Sequence, residues 1–597
     1  MLQNPRNRRL ANMFCLVFLF VFGFLRLLLA EDPSADELPP VRVVYFTPAD
    51  SEPGPDAPVR LCRVMNHVRE FYRKEMERLG YGPMTFALDL DPTDPSRLSI
   101  RHVKGKYPVS FYGKGNYRQI YKEVSEALKG GTNGLRPIHP SSEVVVIFQR
   151  LTTATEEGEP FHRGPIVGSG NHLFGIALAM DDDHLNPELL TSDTPVTPGG
   201  KLSLGEFNTR YIGALAHELG HAFGLLHNAE TDAQRRVLGY SLMGLGNNYY
   251  AREERGEGKG AFLTEADGMR LSRCRAFAGD IPYAFTQPKW RILLLQGKLQ
   301  RKENGEIELL LKGRFDSDVP LAGVIAYNDD SSVPGDYDAK SFITRPDSDG
   351  NFSMTITELT ETGYQLRLAG IGVQGAVFDA TVTYEVDEKL SPDGLRRLNS
   401  FAPEFLMRRL FECWNIDRLQ EVVWELERRG ADPILIRKGR HLLRRMTDPP
   451  HLVSPDEVAD DVNNMNLSEA LWVDAHNGID RILRDRVPQE LFITAGGDYY
   501  ESGIFAHAPS LHRFRLGKKW STFTSLCGIS DGHCGSVRFR VIGDGKELYT
   551  GPVVQDHLVR EISILVEGVE VLDLVVEPGD DGNSQDWGLW IQPALSR

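Results

Sequence analysis

Residues 217–228 read HELGHAFGLLHN. His217 and His221 stand four apart, so on a helix both imidazoles project from one face and can hold one ion. Glu218 lies between them, beside that site without being needed as a ligand. Gly224 follows three residues after His221, and glycine can take the positive φ that ends a helix and turns the chain sharply. Such a turn brings His227 back toward the first two histidines. Three neutral imidazoles leave one tetrahedral position of Zn²⁺ open for water, the arrangement of a catalytic zinc site. Helix propensity agrees, because Ile212–Phe223 holds no proline and is rich in Ala and Leu. A lone His at helical spacing reads as a hydrogen-bonded core residue. Three of them, with Glu and Gly in place, do not. In a 597-residue chain with 16 His and 57 Gly, the five fixed positions arise by chance in roughly one chain in ten thousand.

The series His217-Glu218-x-x-His221-x-x-Gly224-x-x-His227 resembles the metzincin clan of zinc metallopeptidases. The resemblance spans roughly 41–285, although its specific motifs occupy only 217–243. It implies a twisted sheet backed by helices, with an edge strand bordering the cleft. It also implies a Met-turn beneath the metal, and Tyr240-Ser241-Leu242-Met243-Gly244 fits, with Met243 as the candidate against the plain reading of a core methionine. Some families of the clan add a Tyr ligand two residues after that Met. Leu245 stands there, so that ligand is absent, and Tyr249 and Tyr250 are weak substitutes. Asn228 follows the third His, at a position that varies across the clan. The implied reaction is peptide-bond hydrolysis by a zinc-activated water, with Glu218 as general base that later passes the proton to the leaving amine. Asp181-Asp182-Asp183, with His184, offers oxygens for a Ca²⁺, although a run of acids more commonly forms a solvated loop. Residues 31–40 leave no room for a propeptide, and Cys62 falls on a helix, so no cysteine switch is expected.

The elements that must position this site are legible by periodicity. Val41–Phe46, Met84–Leu90, Glu143–Phe148 and Leu173–Met180 read as strands. Arg60–Leu79, Tyr117–Leu128 and Tyr211–Leu226 read as helices. Strands alternating with helices imply an α/β (α+β) catalytic domain over 41–285. Short strands separated by turn residues over 286–390 imply an Ig-like β-sandwich acting as a spacer. Residues 391–465 read as a helical connector ending in a Pro-rich linker, and 466–597 as a second all-β domain.

That last segment carries Gly503-Ile504-Phe505-Ala506-His507-Ala508-Pro509-Ser510, Val537-Arg538-Phe539-Arg540-Val541, Asp544-Gly545, Val571-Leu572-Asp573-Leu574 and Asp586-Trp587-Gly588-Leu589-Trp590. The series resembles the NPCBM carbohydrate-binding module of bacterial secreted enzymes, which implies a jelly-roll β-sandwich that binds glycans. Sugars dock on aromatic faces with a few polar groups to orient them. Trp587, Trp590, Tyr499 and Tyr500 are the candidate platforms, although core packing is the better reading of Trp590, and His507 reads as a turn residue.

Arg6, Arg8 and Arg9 precede the apolar run Leu10–Ala30, the pattern of an export signal at 1–30 that is either cleaved or kept as an anchor. Export permits disulfides. Cys527 and Cys534 could close a local loop, Cys62 and Cys274 fall on helices, and Cys413 is left over. Lys plus Arg number 67 against 83 Asp plus Glu, a poor surface for nucleic acid. The expected protein is a secreted or cell-envelope zinc metalloendopeptidase, targeted to glycans or glycoproteins. A non-catalytic glycan adhesin and a glycoside hydrolase are the alternatives, and no carboxylate pair can be placed across a sugar.

Overall fold

The run Arg42–Thr47 is apolar on both sides, which suits a strand covered on both faces of a parallel sheet. It forms β1 and pairs in parallel with β2 (Ile100–Lys104) and β3 (Val144–Gln149). Beyond β3 lie β5 (Gly175–Met180), parallel, and β4 (Val167–Gly170), antiparallel at the sheet edge, giving the order β2-β1-β3-β5-β4. Val43 and Tyr45 join the core beneath α1 (Ala57–Arg78) and α3 (Leu204–Ala222), while Val44 and Phe46 pack on the side of α2 (Tyr117–Leu128). The structure, a computed structural model, describes residues 38–597 except 55, 113–116, 129–137, 139–141, 155–159, 280, 283, 334, 479–481, 489, 534, 557 and 580–584. The export segment, Cys15, most of the spacer and Cys534 lie outside the described residues. Among those described, no helix is long and apolar enough to cross a membrane.

The helix that carries the histidines begins earlier and ends earlier than its apolar period suggests. Ser203 caps it, its hydroxyl accepting from the Glu206 N–H while the Glu206 carboxylate accepts from the Ser203 N–H. At the other end the Gly224 N–H donates to His221 O at 2.9 Å and the Leu225 N–H to Gly220 O at 2.9 Å. That bond pair is a Schellman stop, with Gly224 at φ 86°. Of the expected strand at Met84–Leu90, only Leu90–Asp91 forms a ladder, with a single parallel bridge from Leu88 to Val41.

The seven strands that follow form two sheets. One has β6 (Trp290–Arg301), β7 (Ile307–Ser317) and β10 (Asn351–Leu359). The other runs β9 (Lys340–Thr344), β8 (Leu321–Asp330), β11 (Gly363–Gly372) and β12 (Val377–Glu385). This sandwich is no free spacer. Met269 and Ala266 on α4 (Glu265–Leu271) share a core with Ile325, Tyr327, Ala369 and Ile371. The chain divides into two compact units, Met1–Asn399 and Ser400–Arg597, so the sandwich and the α/β part belong to one unit.

The second unit holds the helical segment up to Thr447 and a β-sandwich. In that sandwich Gly503–His507, Trp587–Ser596 and Thr522–Ile529 lie in one sheet, and Ser510–Arg515, Val571–Pro578, Val537–Gly543 and Lys546–Val554 in the other. Trp520, Phe539, Leu574 and Trp590 fill its core. Of the candidate sugar platforms, Trp590 takes its expected place in the core, and Tyr499 is corrected. Trp590 is fully buried, and Tyr499 is buried against the connector helices, where Arg437 and Lys438 lie over its ring. Cys62, Cys274 and Cys527 are buried free thiols and Cys413 is an exposed one. Cys527 packs into the sandwich core, and its expected disulfide partner Cys534 lies outside the described residues.

Candidate metal centre

His217, His221 and His227 converge, with one nitrogen from each lying within 4.8 Å of the others. The Nε2 of His221 is 3.1 Å from that of His217 and 3.0 Å from that of His227. Each outer nitrogen has its own oxygen. His217 Nδ1 is 2.7 Å from Leu242 O, His221 Nδ1 is 3.0 Å from Leu225 O, and His227 Nδ1 is 2.6 Å from Asp336 Oδ1. A ring that donates its Nδ1–H keeps a bare lone pair on Nε2. Three such lone pairs facing one another repel unless a cation sits among them. The donor set and its outer oxygens fit zinc. Burial lowers the pKa of His217 to about 4, with the Leu242 carbonyl opposing and the other two histidines assisting. His217 is therefore neutral at pH 7 and able to ligate.

Glu218 follows the first of these histidines. Burial raises its pKa to about 7, against a lowering hydrogen bond from the Gly168 N–H. That N–H belongs to the edge strand β4, which lies so close to α3 that a Cβ on Gly168 would stand 2.1 Å from Glu218 O. Gly170 and Gly175 meet Ala222 O in the same way. The glycines let strand and helix backbones touch. A cleft of about 560 Å³ reaches the centre at His221, lined by Gly168 and Asn171 on one side and by Arg367 and Val377 of the middle sandwich on the other.

Met243 is fully buried, and its thioether lies against Gly220 of α3. The turn that carries it is tied to the third histidine. The Asn228 N–H donates to Met243 O at 3.3 Å, and the buried Asn228 amide donates to Asp267 Oδ1 at 2.8 Å. Leu245 is about half exposed. Tyr249 stacks on Tyr240 at 3.7 Å, and Tyr250 packs against Phe71. The tyrosine that reaches the histidines comes from elsewhere: Tyr337 stacks on His227 with centroids 3.8 Å apart. Asp336 and Tyr337 sit in the turn after β8, and sequence reading missed both. Nothing in their local sequence marks them, because only the packing of two domains brings them here. Ser203 and Glu206, by contrast, form a cap that spacing alone could have placed.

The acidic run is an ion-pair hub. Asp181 is buried against Arg60 at 2.8 Å and accepts from Tyr45 OH, Asp183 pairs with Arg150 at 2.8 Å, and Asp182 lies 2.7 Å from His184 Nδ1. Each of the three carboxylates has a partner within the protein, so the run is not a freely solvated loop. In the C-terminal sandwich Trp587 is half-buried and stacks on His533 at 3.7 Å and 10°, and Tyr500 is also half-buried. His507 is not in a turn as expected but is the last residue of the strand Gly503–His507, its Nδ1 2.9 Å from Ala508 O.

A 98-residue stretch is 36% identical to the "Putative endo-alpha-N-acetylgalactosaminidase" of Renibacterium salmoninarum. The match takes in 16% of this chain and spans only 6% of that relative's length. The O-glycopeptide complex of catalytically inactive OgpA from Akkermansia muciniphila is 26% identical, covering 60% of this chain and 97% of that one, with a TM-score of 0.48. A CBM51 domain from Clostridium perfringens bound to methyl-galactose is 25% identical, covering 22% of this chain and 99% of that one, with a TM-score of 0.21. Residues 463–596 match the NPCBM/NEW2 domain family. The C-terminal sandwich is therefore a carbohydrate-binding NPCBM domain.

Proposed function

We propose that the chain is a zinc-dependent endopeptidase of metzincin type, exported through its N-terminal segment and held on glycoprotein substrates by its NPCBM domain. The observation that carries this reading is the convergence of three bare imidazole nitrogens beside the raised carboxyl group of Glu218. Zinc bound there supplies a Lewis acid for the scissile carbonyl and acidifies water. His217, His221 and His227 hold it, each fixed by the oxygen behind its outer nitrogen. Glu218 takes a proton from the attacking water and hands it to the departing amine, work suited to a base poised near neutrality. Strand β4 ends the sheet, so an extended peptide can add along it and cross the site. The Met243 turn and the Gly224 stop support the metzincin reading. The NPCBM domain and a relative named for acting on N-acetylgalactosaminides support a glycan-bearing substrate.

The test is elemental analysis of the purified protein followed by digestion of a mucin and of casein. We expect one zinc per chain, cleavage lost on chelation and restored by zinc, and mucin cut faster than casein. Protein that cuts equally well after its metal is stripped would overturn the reading.

A further inference from the structure

We infer that the metal centre is built across two domains, with Asp336 of the middle sandwich acting as the positioning residue for His227. The inference rests on the zinc reading above and goes beyond it by assigning a residue outside the histidine motif. His217 and His221 are steadied by carbonyls of the α/β part itself. His227 has none. It lies beyond the helix, past the Gly224 turn, and among the described residues its outer nitrogen finds only the Asp336 carboxylate, at 2.6 Å. The Tyr337 ring covers one face of the same imidazole. Carboxylate and ring together fix both the tautomer and the plane of this ligand, the one that the helix does not hold.

The pairing is held in register from both sides. The Ala229 N–H, two residues past His227, donates to Ala339 O at 2.7 Å, three residues past Asp336. Ala229 also forms a parallel bridge with Lys340, at the start of β9. Lys340 pairs with Glu358 at 2.6 Å, and the Asp232 N–H donates to the same carboxylate at 2.9 Å. A short ladder thus clamps the segment after His227 to the segment after Asp336. The contact is a designed seam between the domains, and the 286–390 sandwich is part of the site. The Asp336 side chain is 59% exposed, so its removal leaves no buried charge unpaired and the fold should survive.

The experiment is zinc affinity of the full chain, measured by competition with a chromophoric chelator. Removing an outer carboxylate from a ligating histidine typically weakens metal binding by about 10–100-fold. Asp336→Ala should lose that much, and Asp336→Asn less, because the amide oxygen can still accept from Nδ1–H. Thermal unfolding of the metal-free protein should not move in either variant. In a His227→Ala background, Asp336→Ala should cause no further loss, which a general structural role would not predict. Asp336→Ala with zinc affinity within about twofold of wild type overturns the inference while leaving the zinc reading intact. Wild-type protein that binds no zinc overturns both.

Discussion

Gly168 of the strand that borders the cleft lies directly against the backbone of Glu218, the proposed base. This close approach exists only because residue 168 lacks a side chain. A Cβ there would lie 2.1 Å from Glu218 O, and neither partner is a flexible side-chain end. Gly168→Ala should push β4 away from α3, at a cost of about 1–3 kcal/mol in stability. It should also cut peptidase activity at least tenfold by releasing Glu218. Gly363→Ala is the control, since its Cβ would meet only Ser331 at 3.9 Å. Melting curves and initial rates of the two variants check this, and equal behaviour would show that strand and helix are not coupled.

Glu218→Gln keeps the shape of the side chain and its place beside Gly168 but cannot accept a proton. Activity should fall by about 10²–10⁴, the usual worth of a general acid–base group. Zinc content should stay at one per chain, because Glu218 is not one of the converging groups. A variant within about threefold of wild-type rate at full zinc occupancy removes Glu218 from the mechanism.

What was legible in the sequence divides along the range of the forces involved. The ligand helix, its glycine stop and the alternation of strands and helices are local patterns, and a period or a spacing carries them. The NPCBM segment was legible because a whole series of short motifs kept its order. Asp336, Tyr337 and the burial of Tyr499 were not legible. Asp336 and Tyr337 meet His227 through a contact between residues 109 apart or more, and no period records such a contact. Tyr499 has the composition of a sugar platform, yet the connector helices cover it. The pairing of the acidic run at 181–183 was hidden for the same reason, since Arg60 and Arg150 arrive from distant elements to meet it.

His512 gives the C-terminal unit a pH dependence. It is fully buried, neither ring nitrogen has a hydrogen-bond partner among the described residues, and Trp472 packs on it at 5.4 Å. Burial lowers its pKa to about 3, with Arg484 and His476 assisting. The unfolded chain protonates near about 6.5, while the folded one stays neutral to about 3. Stability is therefore full above about 6.5 and is lost progressively as pH falls toward 3. His441, lowered to about 3 by burial in the connector, acts in the same direction. His512→Phe should flatten part of the acid limb in thermal melts of residues 400–597 taken between pH 7 and 4. An unchanged slope would mean that the imidazole finds a partner on protonation.

The two C-terminal tryptophans three residues apart should fail in different ways. Trp590 is fully buried, its ring packed against Phe539 at 5.0 Å and Phe523 at 6.1 Å. Trp590→Ala removes a core side chain and should cost about 3–5 kcal/mol, lowering the melting temperature of the domain whatever the ligand. Trp587 is half-buried, with one face stacked on His533 and an edge against Phe505. That leaves a ring at the surface, the arrangement that sugar stacking requires. Trp587→Ala should weaken glycan binding at least tenfold, about 1.4 kcal/mol, with little change in melting temperature. A glycan array followed by calorimetry on the best ligand separates the two effects. If Trp587→Ala binds as well as wild type, the sugar face lies elsewhere on the sandwich, and the half-buried Tyr500 becomes the next residue to replace.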